Sequence, residues 1–148
     1  MTRSKLPTFR GDPDGVAFGI NDNGDVVGAS GDCATFSPDT LSNLQALHAL
    51  LWQEGTVTDL GSLGGTGHGM GILAYNLNDQ DQVVGLSDLP GDTTFHAFLW
   101  TKQTGMQDLG TLPGDVTSAA SGITNESQVV GVLLDASFNP TAFLRRTV

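Results

Sequence analysis

The sequence predicts an all-β fold built from three repeats, because the same short motifs recur in the same order. A Val-Val-Gly triplet occurs at residues 26–28, 83–85 and 129–131. A second motif, His-Ala-Leu-Leu-Trp at 48–52, returns as His-Ala-Phe-Leu-Trp at 96–100 and in altered form at 141–145. The triplets start 57 and then 46 residues apart, and a period in this range is typical of solenoids, propellers and other repeat arrays.

Each repeat is predicted to form an antiparallel sheet of four strands. In the second repeat we expect these strands at residues 69–77, 82–87, 95–101 and 106–112. The first two strands of each repeat are joined by short runs rich in polar turn residues, at 21–25, 78–82 and 124–128. The Asn, Asp and Gly in these runs tolerate positive φ and bond to the local backbone, which is the chemistry of a tight hairpin.

The third strand of a repeat indicates how the sheets pack against each other. Alternation places His96, Phe98 and Trp100 on one face, and Ala97 and Leu99 on the other, so both faces are largely apolar. Sheets covered on both sides occur where blades pack radially, as in a β-propeller. The predicted fold class is therefore an all-β, propeller-type array of three four-stranded antiparallel blades.

The N-terminal residues 4–11 resemble the fourth strand of a repeat. Leu6 aligns with Leu109, and Phe9 aligns with Leu112. The third repeat has no fourth strand of its own, so we predict that an N-terminal strand completes the last blade, and in a dimer the last blade of the partner. Three blades are fewer than the four to eight of typical propellers, which predicts a homodimer that forms one six-bladed ring. The alternative is that the chain is a piece of a longer array.

The predicted domain organisation is one repeat domain over residues 1–148. Its parts are a closing strand at 4–11, a first repeat at 12–64 with a loop insertion at 31–47, a second repeat at 65–114, and a third repeat at 115–148. Within the insertion, Leu41, Leu44 and Leu47 recur every three residues, which predicts one or two helical turns.

Composition excludes several classes of partner. The net charge is −10 and only six residues are Lys or Arg, whereas nucleic acid and anionic membrane surfaces both require clustered basic residues. No apolar run approaches the length of a membrane-spanning helix, so no membrane insertion is predicted. The single cysteine, Cys33, cannot form an internal disulfide, and the N-terminus has no apolar run of signal-peptide length.

Three motifs together resemble the HAF repeat family, named for its His-Ala-Phe triplet. They are His-Ala-Phe-Leu-Trp at 96–100, Met-Gln-Asp-Leu-Gly-Thr-Leu at 106–112 and the turn with its Val-Val-Gly strand at 19–28. The resemblance covers nearly the whole chain outside the insertion. It implies a repeat architecture and an extracellular or cell-surface location in bacteria, and it implies no chemistry, because the family has no assigned activity. The third copy departs from the pattern, with Thr141 and Arg145 in place of the His and the Trp.

Six residues are candidates for ligand binding. His48 and His96 share one strand position, on the same face as Trp52 and Trp100, whose indole rings are suited to stacking on sugars. The alternative is a packing role for the histidines and burial of the indoles between blades. His68 and Tyr75 are added because they have no counterpart in the other repeats.

No cofactor is predicted, although the turn at 22–25 faintly resembles a calcium loop. That turn carries oxygen ligands at Asp22 and Asp25 but lacks the distal Glu of a helix–loop–helix site. No arrangement of nucleophile, base and orienting acid is apparent, so no catalytic residue is predicted.

The function predicted from sequence is non-catalytic binding or scaffolding, with a carbohydrate or a cell-surface ligand as partner. Two alternatives remain open. One is a polysaccharide hydrolase or lyase with an axial site, which would require clustering of unrepeated residues such as Glu54, His68, Tyr75 and Glu126. The other is a purely structural, self-assembling repeat.

Overall fold

The computed structural model describes residues 1–32 and 45–146, and these residues confirm the all-β prediction. The strands are β1 (Asp14–Ile20), β2 (Val26–Asp32), β3 (Gln45–Gln53), β4 (Thr56–Asp59), β5 (Ile72–Leu77), β6 (Val83–Asp88), β7 (Phe95–Thr101), β8 (Gly105–Gly110), β9 (Asp115–Ile123), β10 (Val129–Asp135) and β11 (Pro140–Arg145). This part of the chain contains no helix, and hence none that could cross a membrane.

The strands form three antiparallel sheets in chain order. Sheet 1 contains β1–β4, sheet 2 contains β5–β8, and sheet 3 contains β9–β11. Neighbouring strands in each sheet are also neighbours in sequence, as predicted for hairpin-connected repeats. Sheet 3 has only three strands, so one edge of β11 has no neighbouring strand among the described residues.

The glycine of each Val-Val-Gly triplet is required by close backbone contact. A Cβ placed on Gly28 would lie 1.9 Å from the carbonyl oxygen of Val16, and one on Gly85 would lie 1.9 Å from that of Leu73. The pairing register of the first two strands shifts beside each of these contacts. A bulge at this point brings one backbone against the next strand, and only glycine leaves the space.

Sheet 2 lies between sheets 1 and 3. We call the face of a sheet that meets the preceding sheet its front face, and the opposite face its rear face. The rear face of sheet 1 contributes Val27, Ala49 and Leu51 to a buried cluster. The front face of sheet 2 contributes the other side of that cluster, with Ala74, Leu77, Val83, Phe98 and Trp100.

The same contact is used a second time between sheets 2 and 3. The rear face of sheet 2 contributes Val84, Ala97 and Leu99, which hold the strand positions of Val27, Ala49 and Leu51. The front face of sheet 3 contributes Ala120, Val129 and Phe143, with Ile123 packed against them. Sheet 2 therefore buries apolar side chains on both faces, as its alternating pattern predicts. A fully buried side chain of this size stabilises a fold by about 1.5–3 kcal/mol.

The described residues do not contain the predicted closing strand at 4–11. This segment is irregular and lies against the front face of sheet 1, where the indole Nε1 of Trp52 donates to the carbonyl of Pro7 at 2.8 Å. The backbone N–H of Phe9 donates to Ser30 Oγ at 3.3 Å. Within one chain the free edge of β11 belongs to sheet 3, beyond sheet 2, so residues 4–11 have no strand to pair with.

The insertion predicted at 31–47 is shorter than expected. β2 continues to Asp32, and β3 begins at Gln45, so both ends of the insertion belong to strands. Most of the predicted helical turn, at residues 38–44, lies outside the described residues. Leu47, the last residue of that pattern, belongs to β3.

Candidate functional site

The two predicted histidines are each held by a carboxylate. His48 Nδ1 lies 2.7 Å from Asp12 Oδ2, and His96 Nδ1 lies 2.9 Å from Asp108 Oδ1. An ionised carboxylate only accepts, so Nδ1 carries the proton in both rings. Asp12 also accepts from the hydroxyl of Ser30. His48 therefore ties the segment before β1 to sheet 1, whereas His96 joins β7 to β8 within sheet 2.

The two predicted tryptophans lie inside the molecule. Trp52 is 5% exposed and Trp100 is 8% exposed. Trp100 belongs to the cluster between sheets 1 and 2, and Trp52 lies beneath the N-terminal segment. Each indole is thus largely covered, although Trp100 and Trp52 also contribute to the lining of two open grooves.

His68 belongs to a hydrogen-bonded group that joins two loops. Its Nδ1 lies 2.8 Å from Thr66 Oγ1, and the same hydroxyl donates to Asp92. The backbone N–H of Thr66 also donates to Asp92, at 2.7 Å. The Thr66 hydroxyl, followed by the Thr66 N–H and the charge of His68, lowers the pKa of Asp92 below its usual value. Because the hydroxyl gives its proton to a carboxylate and not to the imidazole, the group is not arranged as a nucleophile with its base.

Tyr75 lies half-buried on β5, and its ring centroid is 5.2 Å from that of Phe18. Burial raises the pKa of its hydroxyl above the usual value. Tyr75 packs beside the buried cluster that contains Leu73 and Leu86. The structure therefore places it away from His68 and from both tryptophans, and the six predicted residues do not form one site.

A ladder of side-chain amides connects the first hairpin turns of the three repeats. Asn21 Nδ2 donates to the carbonyl of Asn78 at 3.0 Å, and Asn78 Nδ2 donates to that of Thr124 at the same distance. Asp79 takes part on both sides, since it accepts from the N–H of Asp22 and its own N–H donates to Asn125 Oδ1. Sequence reasoning explained these residues only as turn formers. The recurrence of positions 21, 78 and 124 at the same point of each repeat is the signal that could have identified the ladder.

The turn at residues 22–25, which resembles a calcium loop in sequence, belongs to this ladder. Asn21 Oδ1 already accepts from the backbone N–H groups of Asn23 and Asp25, as expected for a tight turn. Across residues 1–32 and 45–146, no three His, Cys, Asp or Glu side chains converge in a way that could hold a metal ion.

Buried Asp25 and partly buried Asp81 form a carboxyl pair at the ladder, between sheets 1 and 2. Burial, followed by the hydrogen bond and the charge of Asp25, raises the pKa of Asp81 above its usual value. Asn21 Nδ2 and Gln53 Nε2 donate to the two oxygens of Asp81, at 2.9 Å each. These two hydrogen bonds favour the ionised form of Asp81 and lower its pKa. They only partly offset the rise caused by burial and by Asp25.

Residues of sheets 2 and 3 and of their loops line an open groove at the end of the sheets opposite the ladder. The groove has a volume of about 390 Å³. Phe138, which is 71% exposed, forms one wall beside Val116 and Met70. Three threonines and three aspartates are among the lining residues, Thr93, Thr94, Thr117, Asp88, Asp92 and Asp135. No lysine or arginine is among the residues that line this groove. Sequence reasoning did not identify it, because its walls come from loops of two different repeats.

The carboxylates of this groove are fixed before any ligand arrives. Asp88 accepts from the backbone N–H groups of Gly69, Met70 and Gly71. Hydrogen bonds from the side chain and the backbone of Asn139 lower the pKa of Asp135. Asp92 and Asp135 therefore stay ionised near neutral pH in a groove that also holds the exposed ring of Phe138.

The unrepeated residues proposed for an enzymatic site are not brought together. Glu54 lines a polar groove with Lys102 between sheets 1 and 2, at the end of the hairpin turns. His68 lies in the loop before β5, at the other end of the sheets, and Tyr75 lies within β5. Glu126 lies in the turn between β9 and β10, and Cys33 is outside the described residues.

Comparison with known proteins gives no relative from which a role could be transferred. No family model matches the chain, and no curated protein or solved structure is significantly similar to it.

Proposed function

We propose that the chain is a non-catalytic binding module of propeller type, and that the groove between sheets 2 and 3 takes a neutral, polyhydroxylated ligand such as a carbohydrate. The observation that carries the proposal is the exposed ring of Phe138 beside fixed acceptors of the groove. An aromatic face provides apolar area for the C–H face of a sugar. Carboxylates and threonine hydroxyls accept hydrogen bonds from sugar hydroxyls.

The charge of the lining supports a neutral ligand over an anionic one. Asp92 and Asp135 have pKa values lowered by their hydrogen bonds, so both remain ionised near neutral pH. An anionic ligand would meet like charge without a basic side chain in the lining to offset it. The volume of about 390 Å³ lies within the range of small-molecule sites.

Titration calorimetry with a panel of neutral oligosaccharides tests this proposal. Phe138→Ala should weaken binding by about tenfold, because loss of a ring contact of this kind costs about 1.4 kcal/mol. Leu112→Ala is the matched control, since Leu112 is 58% exposed and does not line the groove. Absence of binding across the panel, or equal loss in both variants, would contradict the proposal.

A salt titration separates the neutral ligand from a basic one. Affinity for a neutral sugar should be nearly independent of ionic strength, whereas a basic peptide held by the same carboxylates should lose affinity as salt rises.

A second candidate function, scaffolding by self-association, is favoured by two uncovered sheet faces. The extracellular or cell-surface location implied by the HAF resemblance is compatible with both functions.

A further inference from the structure

Sheets 1 and 3 lie at the two ends of the row of sheets. Each has an outer face that carries the same kind of apolar side chains as the interfaces between sheets. On the rear face of sheet 3, Val130 is 46% exposed and Leu144 is 47% exposed. Their equivalents on sheet 2, Val84 and Leu99, are 0% and 6% exposed beneath sheet 3. The rear face of sheet 3 thus has the apolar side chains of an inter-sheet contact, and no sheet of the described residues covers it.

The front face of sheet 1 is uncovered over one half. Ile20 is 68% exposed, whereas its equivalent on sheet 2, Leu77, is 4% exposed. Ala17 is exposed as well, whereas Ala74 at the same position in sheet 2 is buried. The exposed half is the part that, in sheet 2, is covered by the rear face of the preceding sheet.

The other half of that front face is covered by the N-terminal segment. Phe9 N–H donates to Ser30 Oγ, and Leu63 N–H donates in the same way to Ser87 Oγ on sheet 2. Phe9 and Leu63 are equivalent, as are the two serines. Residues 4–11 therefore pack on the front face of sheet 1 in the same way that the residues after β4 pack on the front face of sheet 2. They hold the place of the end of the fourth strand, and of the connection after it, in a preceding sheet that the described residues do not contain.

We propose that a second copy of this chain supplies those strands. The rear face of its sheet 3 docks on the front face of sheet 1, and the free edge of its β11 lies beside residues 4–11. This interface already occurs twice within one chain with equivalent residues, and the second copy continues it.

The contact is heterologous, because it joins a front face to a rear face. Such contacts generate closed rings or open polymers, depending on the rotation. Two copies contribute six sheets, which is within the range of closed propellers, and three copies contribute nine, which exceeds it. The proposal is therefore a closed pair in which each copy completes the other. It does not depend on the ligand proposed for the groove.

Charged substitutions on each face test the arrangement by sedimentation equilibrium. The unmodified chain should sediment at twice its 15.4 kDa. Leu144→Asp on the rear face and Ile20→Asp on the front face should each give monomers, because either change puts a charge into both contacts of the pair. Met70→Asp is the matched control: Met70 is 52% exposed on the loop before β5, outside both faces, and this variant should remain a dimer.

A mixture of the two face variants tests the front-to-rear pairing itself. One intact contact remains between the rear face of the Ile20→Asp chain and the front face of the Leu144→Asp chain. The equimolar mixture should therefore form a heterodimer at high concentration, although each variant alone stays monomeric.

Circular dichroism checks that the single variants retain the β fold, as expected for changes at exposed positions. A wild-type monomer, an open polymer, dimeric face variants, or a mixture that never associates would each overturn the proposal.

Discussion

The side-chain amide of Asn21 donates to the backbone carbonyl of Asn78 at 3.0 Å, and the two residues hold the same position in consecutive repeats. Asn78 repeats the bond to Thr124. Apolar contact between sheets is non-directional and does not fix their offset by itself. Hydrogen bonds between defined atoms do, so the ladder sets how far each sheet is displaced relative to the next.

Replacement of the central amide should destabilise the fold. Asn78 is buried, and its Oδ1 accepts from the N–H groups of Gln80 and Gln82 while Nδ2 donates to Thr124. Asn78→Ala leaves these groups without partners and should lower the free energy of unfolding by about 2–3 kcal/mol, measured by urea denaturation. Asn23→Ala is the control, because Asn23 is exposed and its side chain makes one inter-turn bond, to Asp79. A loss for Asn78→Ala no larger than that for Asn23→Ala would contradict this role of the central amide.

Three equivalent leucines should respond differently to truncation. Leu51→Ala and Leu99→Ala each remove a side chain buried between two sheets and should cost about 2–5 kcal/mol at any protein concentration. Leu144→Ala removes a side chain that is 47% exposed in one chain, so its cost should be small in dilute solution. In the proposed pair the cost should grow with protein concentration, because the loss then weakens association. Urea denaturation at two concentrations checks this, and a large, concentration-independent cost at Leu144 would contradict it.

The carboxyl pair between sheets 1 and 2 predicts a pH dependence of stability. The pKa of Asp81 is raised in the fold by burial and by Asp25. A raised pKa means that its contribution is fully present below the unfolded pKa of about 4 and is lost as pH rises through the folded pKa. Asp81→Asn removes this ionisation, so the variant should gain stability relative to wild type as pH rises from about 4 to 7.

Urea denaturation at several pH values measures that difference. Asp22→Asn removes an exposed carboxyl from the equivalent turn of the first repeat and serves as the control. A stability difference for Asp81→Asn that is constant across this range, or that shrinks as pH rises, would contradict the assignment.

The strands, and the sheet face on which each side chain lies, could be predicted from sequence. Both depend on local sequence patterns that recur in each repeat. Alternation along β7 separates Phe98 and Trp100 from Ala97 and Leu99, and the two sets pack on different sheets. The Val-Val-Gly triplets likewise mark the second strand of each sheet. Burial of both faces follows from this pattern alone.

The position of residues 4–11 could not be predicted in the same way. Their apolar pattern matches a fourth strand, but a strand forms only beside a free edge, and the edge of β11 lies beyond sheet 2. The hydrogen-bond partner of each repeated histidine could not be predicted from sequence either. His96 bonds to Asp108 on the adjacent strand, whereas His48 at the same position bonds to Asp12 before β1.

The mass of the native assembly of the unmodified chain tests the central claim most directly, namely that the interface used twice within the chain is used again between chains. Native mass spectrometry should find a single species of twice 15.4 kDa that dissociates on dilution. A species of 15.4 kDa alone, at concentrations where the chain is folded, would contradict the account.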